Sequence, residues 1–306
     1  MTHAPAADRV VAGIGLGVIA YSLFATHDAA NKYLAATLPV WQVLFFRSLT
    51  IVAGALLFGR GKLVSRVVET PLKLALLGRG TLTLTAWLCY YTASRDMPLA
   101  QLMTIYFSSP IIVAVLAIPV LGEKVTPGRW LALALGFGGV LLASDPLGVR
   151  ASLATVLVLA AALMWAVAIL LMRVIAQRES SLVQMFYQNA LFLVLTGTAS
   201  WFWWIPPSPL EFALLALIGV FGGAGQYLLF EGIRLAPASV MSTVEYTGLL
   251  WAFLLGYLVW GDIPSLTTWA GAGMIALSGV FLLLMERQRR ASSDTARGSQ
   301  GLSGQR

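Results

Sequence analysis

Charge is scarce in this sequence. Asp, Glu, Lys and Arg make up only 11% of its 306 residues and apolar residues 58%, where an ordinary soluble domain carries roughly 25% charge. That balance excludes the pair of soluble domains the length would otherwise suggest and points to a chain embedded in lipid. Cysteine is nearly missing: Cys89 stands alone inside an apolar run, which excludes an internal disulfide and any Cys-based metal cluster. Histidine is limited to His3 and His27, too few for an H-E-x-x-H centre or a Ser/His/Asp set. No P-loop is present, so ATP hydrolysis is not expected. No enzyme activity, cofactor or metal site is expected. The basic excess of +7 sits between apolar runs and at the C-terminal end rather than on one face. A nucleic-acid partner is therefore not expected, and the bilayer is.

What the chain has in abundance is long apolar stretches. A membrane span needs about 20 mostly apolar residues, and ten such stretches fit, near 10–31, 38–59, 72–94, 98–121, 127–144, 152–173, 182–204, 210–233, 237–260 and 266–286. The first is too long for a signal-peptide core. Connections are short, leaving no room for a soluble domain. Residues 287–306 are polar and rich in Ser, Gly and Arg, the composition of a disordered tail.

Lys and Arg in the loops set the expected orientation. With the N-terminus in the cytoplasm, fifteen fall on the inner side: Arg9, the Arg60–Lys73 group of four, Lys124, Arg129, Arg173, Arg178, Arg234 and the five beyond residue 286. Three fall outside, Lys32, Arg95 and Arg150. Both termini are therefore expected on the cytoplasmic face.

The chain also repeats itself. A shift of 139 residues carries Arg95 onto Arg234, Pro98 onto Pro237, Gly122 onto Gly261, Glu123 onto Asp262 and Trp130 onto Trp269. Self-similarity at a fixed period defines the architecture. Here it gives an all-α polytopic membrane protein of ten transmembrane helices, five in residues 10–144 and five in 152–286. An odd number per half makes the second half enter from the opposite side. Inverted repeats of this kind are built to alternate between two nearly equal conformations.

These features resemble the drug/metabolite transporter superfamily and its EamA-type repeat, over nearly all of residues 10–286. The resemblance rests on two five-span halves, Pro98 and Pro237 at the heads of spans 4 and 9, and the Gly122-Glu123 and Gly261-Asp262 ends. Asp28-x-x-Asn31-Lys32-Tyr33-Leu34, Phe45-Phe46-Arg47 and Arg79-Gly80 are similar to a bacterial branch that includes riboflavin importers and S-adenosylmethionine uptake carriers. The resemblance implies a secondary carrier of a small organic metabolite in the cell inner membrane, with riboflavin uptake the preferred reading. S-adenosylmethionine, amino-acid or drug-type metabolites, moved inward or outward, are the alternatives. Proton coupling and homodimerisation are compatible with it.

The candidate substrate residues come from polar groups where lipid makes them costly. An ionisable side chain inside a span costs about 2.5–3.5 kcal/mol or more. Asp28, Arg47, Arg79 and Glu245 fall in spans. The first three read equally as structural pairs or as substrate or proton contacts, and Asp28 and Arg47 share the outer half. Glu245 has no cation in its own helix. Pro110, in Ser108-Ser109-Pro110, interrupts span 4, and Thr247-Gly248 stands at the matching place in span 9. Such interruptions at membrane depth line a cavity or are buried in protein. Tyr106, Trp165 and Tyr227 lie deep enough to wall a cavity, and flat aromatic walls suit a flat ring or, through cation–π attraction, a cation.

Overall fold

The computed structural model describes residues 6–34, 36–93, 96, 102, 105–144, 152–261 and 266–303. Arg95, Pro98, Arg150 and Asp262 lie outside the described residues, as does the side chain of Lys32. Among those described there is no strand. The helices are α1 (Ala6–Leu34), α2 (Val40–Glu69), α3 (Lys73–Ala93), α4 (Ser109–Leu121), α5 (Pro127–Ser144), α6 (Leu153–Ala176), α7 (Ser181–Phe202), α8 (Pro209–Leu235), α9 (Ala238–Glu245), α10 (Thr247–Trp260) and α11 (Leu266–Ser303).

Several helices begin and end on recognisable capping chemistry. The Ser152 and Ser180 hydroxyls accept the backbone N–H of Thr155 (3.2 Å) and Val183 (3.3 Å). Ser208 and Glu211 form a reciprocal capping box with Pro209 in the first turn of α8, satisfying donors the helix cannot satisfy itself. Gly122 and Gly261 close α4 and α10 in the left-handed region, at φ 64° and 70°, where a side chain would be strained.

Two stretches differ from expectation. α2 runs to Glu69 rather than ending near 59, with Arg60 out of helical geometry at φ 50°, ψ −156°. The apolar span therefore ends on time, and a polar helix follows after a bend. α11 continues to Ser303, across the stretch expected to be a disordered tail, because a helix already nucleated in the apolar segment propagates at low cost.

Among the described residues, six segments are long and apolar enough to cross a membrane, in α1, α2, α6, α8, the α9–α10 pair and α11. α4 and α5 are apolar but shorter. α3 carries Arg79, and α7 carries Gln184, Gln188 and Asn189.

The packing exchanges the halves. α1 lies on α8 while α3 lies on α6, and α1 touches α10 while α4 touches α6. α2 packs on α8 as α7 packs on α3, the pairs α2–α7 and α5–α11 each join corresponding elements, and α4 packs on α9 of the corresponding span. Small residues make the closest approaches. A Cβ on Gly13 would stand 2.8 Å from that of Ala236 and 3.0 Å from the Gly232 carbonyl, and one on Gly139 would stand 2.7 Å from the Gly271 carbonyl. Without a strong hydrophobic drive between helices in lipid, such backbone contact is a main source of association.

Polar clamps gather at one end of the bundle. Arg129 of α5 holds Glu286 of α11 at 2.8 Å, with both side chains at most 8% exposed. Arg173 donates to the Ile233 and Arg234 carbonyls, and Arg234 donates back to those of Ala176 (2.9 Å) and Glu179 (2.7 Å). The Glu123 carboxylate accepts the N–H groups of Ala238 (2.8 Å) and Ser239 (3.2 Å) at the head of α9, and the Ser239 hydroxyl at 2.9 Å. At the opposite end the Gln42 amide grips both backbone groups of Ile205, at 2.6 and 3.0 Å.

A candidate substrate site at the α4 and α9–α10 interruptions

The two interrupted spans meet at the middle of the fold. Each interruption is a tightening rather than an unwinding. Ser108 (φ −69°, ψ −18°) and Tyr246 (φ −59°, ψ −23°) keep right-handed helical dihedrals, while the backbone bonds around them shift to the i−3 carbonyl, as in Ser108 to Ile105 (3.1 Å) and Tyr246 to Thr243 (3.3 Å). A short 3₁₀ stretch inside a helix is a common mark of a hinge. The Ser108 hydroxyl donates to the Ile105 carbonyl at 2.6 Å, and the Thr247 hydroxyl to that of Val244 at 2.8 Å. These are the same bond, one repeat apart.

Glu245 ends α9 at this point and is 6% exposed. Its Oε1 accepts the indole N–H of Trp165, from α6, at 3.0 Å. Tyr21 of α1, 8% exposed, lies within electrostatic reach of both Glu245 and Tyr106, and a Cβ on Gly248 would touch its ring at 3.8 Å. Rings continue in a chain from α3 to α9: Tyr90 to Tyr106 at 5.0 Å, Tyr106 to Phe107 at 6.2 Å, and Phe107 to Tyr246 at 5.9 Å between centroids. Pro110 is buried one turn beyond, in α4. A carboxylate set among aromatic rings can receive a cation, through charge and ring faces together, and can take up a proton from water in its place when the cation leaves.

Of the expected residues, Trp165 bonds Glu245, Tyr106 joins the ring chain that leads to Tyr246, and Pro110 is buried in α4 beyond it. Arg47 is buried elsewhere, its guanidinium 5.3 Å from the Trp87 ring and beside Gly222, where His27 also comes. Asp28 is 73% exposed in its side chain and bonds His27 at 2.9 Å. Arg79 is fully buried between α3, α7 and α8. Tyr227, expected deep, is 40% exposed. Its neighbours Gly225 and Gln226 face α1 and α7, and the 100° step of a helix turns the next side chain away from both.

Tyr21 was not foreseen. It continues the stripe Gly13, Gly17, Tyr21, Phe24 along one face of α1, and this spacing could have led to it. The buried amides of Gln188, Asn189 and Gln226 were not foreseen either, since neutral polar residues in a span carry no charge signal.

The EamA-like transporter family model matches residues 11–145 and again 152–285. Similar curated proteins include the pseudopaline exporter CntI of Pseudomonas aeruginosa (strain UCBPP-PA14), 28% identical over 90% of this chain and 97% of that protein. The S-adenosylmethionine uptake transporter of Rickettsia bellii is 25% identical over 90% of this chain and 95% of its own. The riboflavin transporter of Vibrio cholerae is 27% identical over 66% of this chain and 68% of its own. A crystal structure at 15% identity superposes with a TM-score of 0.75, covering 92% of this chain and 98% of the other, which shows the fold. Two family matches of nearly equal length thus fall on the two halves whose interrupted helices meet at Glu245, and the chain belongs to the EamA-like transporter family.

Proposed function

We propose that this protein is a ten-span secondary carrier with inverted halves, lying in the cell inner membrane with both termini cytoplasmic. It moves a small organic metabolite by alternating access, and the solute sits where α4 meets the α9–α10 junction. The observation that carries this is Glu245, a buried carboxylate at a helix interruption whose neighbours are an indole and tyrosines. Tyr106, Trp165 and Pro110 complete the contact, while Arg47 and Arg79 lie apart from it, against Trp87 and Phe230. The preferred solute has a cationic nitrogen or sulfonium, like that of the S-adenosylmethionine relatives, which are matched over most of their length. Riboflavin is the second reading, favoured by the ring chain Tyr90–Tyr106–Phe107–Tyr246, although its relatives are matched over only about two thirds. Glu245 is also the group proposed to carry a coupling proton.

The test is uptake of labelled S-adenosylmethionine and riboflavin into vesicles, with and without an uncoupler, for the wild-type protein and Glu245→Gln at equal expression. Saturable accumulation of one solute, lost in Glu245→Gln, supports the reading. Wild-type rates in the variant would remove Glu245 from the site, and non-saturating conductance would replace the carrier by a channel.

A further inference from the structure

Away from Glu245, the bundle holds a second polar centre for which the carrier reading has no use. Arg79 of α3 has no solvent exposure. One of its nitrogens, Nη2, donates to the Gln184 carbonyl of α7 at 3.3 Å, and its Cζ stands 4.8 Å from the Phe230 ring centroid of α8. Its Nε and Nη1 are buried with no hydrogen-bond partner among the described residues. No carboxylate of those residues acts on it. A buried cation without a counter-charge costs several kcal/mol or so, and a ring face offsets only about 2 kcal/mol of that.

The amides around it are equally short of partners. Gln184, Asn189 and Gln226 are at most 3% exposed and Gln188 is 5% exposed. Both polar atoms of Gln184, Oε1 of Gln188, Oδ1 of Asn189 and Nε2 of Gln226 are buried without a bond. These residues close a circuit. Arg79 touches Gln184; Gln188 follows one turn on and lies against Gly80, whose Cβ would come 3.6 Å from its Cα. Asn189 bonds Gln226 at 3.0 Å, and Phe230, one turn beyond Gln226, returns to Arg79. Buried polar groups normally find partners. Here unbonded N–H groups on Arg79, Gln184 and Gln226, with the unbonded carbonyl oxygens of Gln184, Gln188 and Asn189, lie buried on three packed helices that carry one positive charge.

We infer that the α3–α7–α8 junction is an anion-binding site, in which Arg79 with the Gln184 and Gln226 amides holds a small monovalent anion. The shared chemistry is that of a compact acceptor able to take several N–H bonds at once. A carboxylate presented by a solute and a resident inorganic anion both supply it. The site is separate from Glu245 and is tested without transport, so its failure and the failure of the carrier reading are distinguishable.

The purified full chain in detergent is melted by intrinsic tryptophan fluorescence in sodium chloride, sodium formate or sodium gluconate at matched ionic strength. Gluconate is the reference, too large for an enclosed site. A rise of about 3 °C over gluconate is expected at roughly tenfold the Kd, growing with the logarithm of anion concentration above it. Arg79→Gln loses the rise, and Arg79→Lys keeps part of it. A rise in formate alone assigns the site to a carboxylate, and one in chloride to an inorganic anion. Identical melting in all three salts overturns the inference, as does a rise of equal size in Arg79→Gln. Should that variant fail to fold, Gln226→Leu takes its place: an undiminished rise there, together with one in Arg79→Lys equal to wild type, overturns it too.

Discussion

The Tyr246 hydroxyl donates to the Phe107 carbonyl at 3.3 Å, and the two rings lie 5.9 Å apart at 34°. These residues are one repeat apart, separated by 139 positions. Corresponding points of the two halves therefore touch each other at the interruptions of α4 and α9–α10. The same offset relates the Ser108 and Thr247 hydroxyl bonds and the Gly122 and Gly261 caps. In the proposed alternating-access cycle, this contact between repeat mates is the pivot.

The pivot needs room for a ring. A Cβ on Gly136 would stand 2.5 Å from the Tyr246 ring. Gly136→Ala is expected to force the ring aside at a cost of about 1–3 kcal/mol, seen as a lower melting temperature. Tyr246→Phe, which removes only the hydroxyl, should cost about 1 kcal/mol. Equal melting for both variants would show that the ring is not confined.

Trp165→Phe keeps an aromatic ring, though a smaller one, and removes the N–H that Glu245 accepts. Leaving a buried carboxylate without that donor costs about 1–3 kcal/mol. A fall in solute affinity of roughly tenfold or more is expected in a direct binding assay. Unchanged affinity would detach Trp165 from the site.

The Arg129–Glu286 pair ties α5 to α11 with little exposure on either side. Breaking a buried pair at one partner costs about 3–5 kcal/mol. Arg129→Ala and Glu286→Ala are each expected to lower the melting temperature strongly. The double variant should recover part of the loss, because no lone charge remains. Additive losses would show that the two groups act separately.

Glu123 holds the head of α9 shut against the end of α4. Glu123→Ala orphans two backbone donors, at about 0.5–2 kcal/mol. Faster thiol labelling of a cysteine placed at Ser239, in a chain whose Cys89 is replaced by Ala, is the expected outcome. The measurement compares Glu123→Ala with its parent, and equal rates would remove Glu123 as a latch.

The long apolar helices, the polar turns between them and the two-part organisation were legible residue by residue. α2 hid its extension, because Gly59, Arg60 and Gly61 look like an end and the helix resumes beyond them. α3 and α7 fall short as spans on composition for a related reason. Arg79 and the α7 amides lower their apolar content, and those residues are buried against other helices rather than turned to lipid.

Burial cost along a single helix is a local property, and a shift of 139 residues can be read from one line of text, so hydropathy and the internal repeat were enough for the helical membrane class and its doubling. Partnership between helices is not local. Glu245 finds Trp165 across 80 residues, and Arg79 finds Gln184 across 105. Which faces meet depends on the rotation and depth of each helix once packed, and these are set by small-residue contacts such as Gly13 on Ala236. A rotation of one residue, about 100°, separates Gln226 in the interior from Tyr227 at the surface, and only the assembled bundle chooses between them.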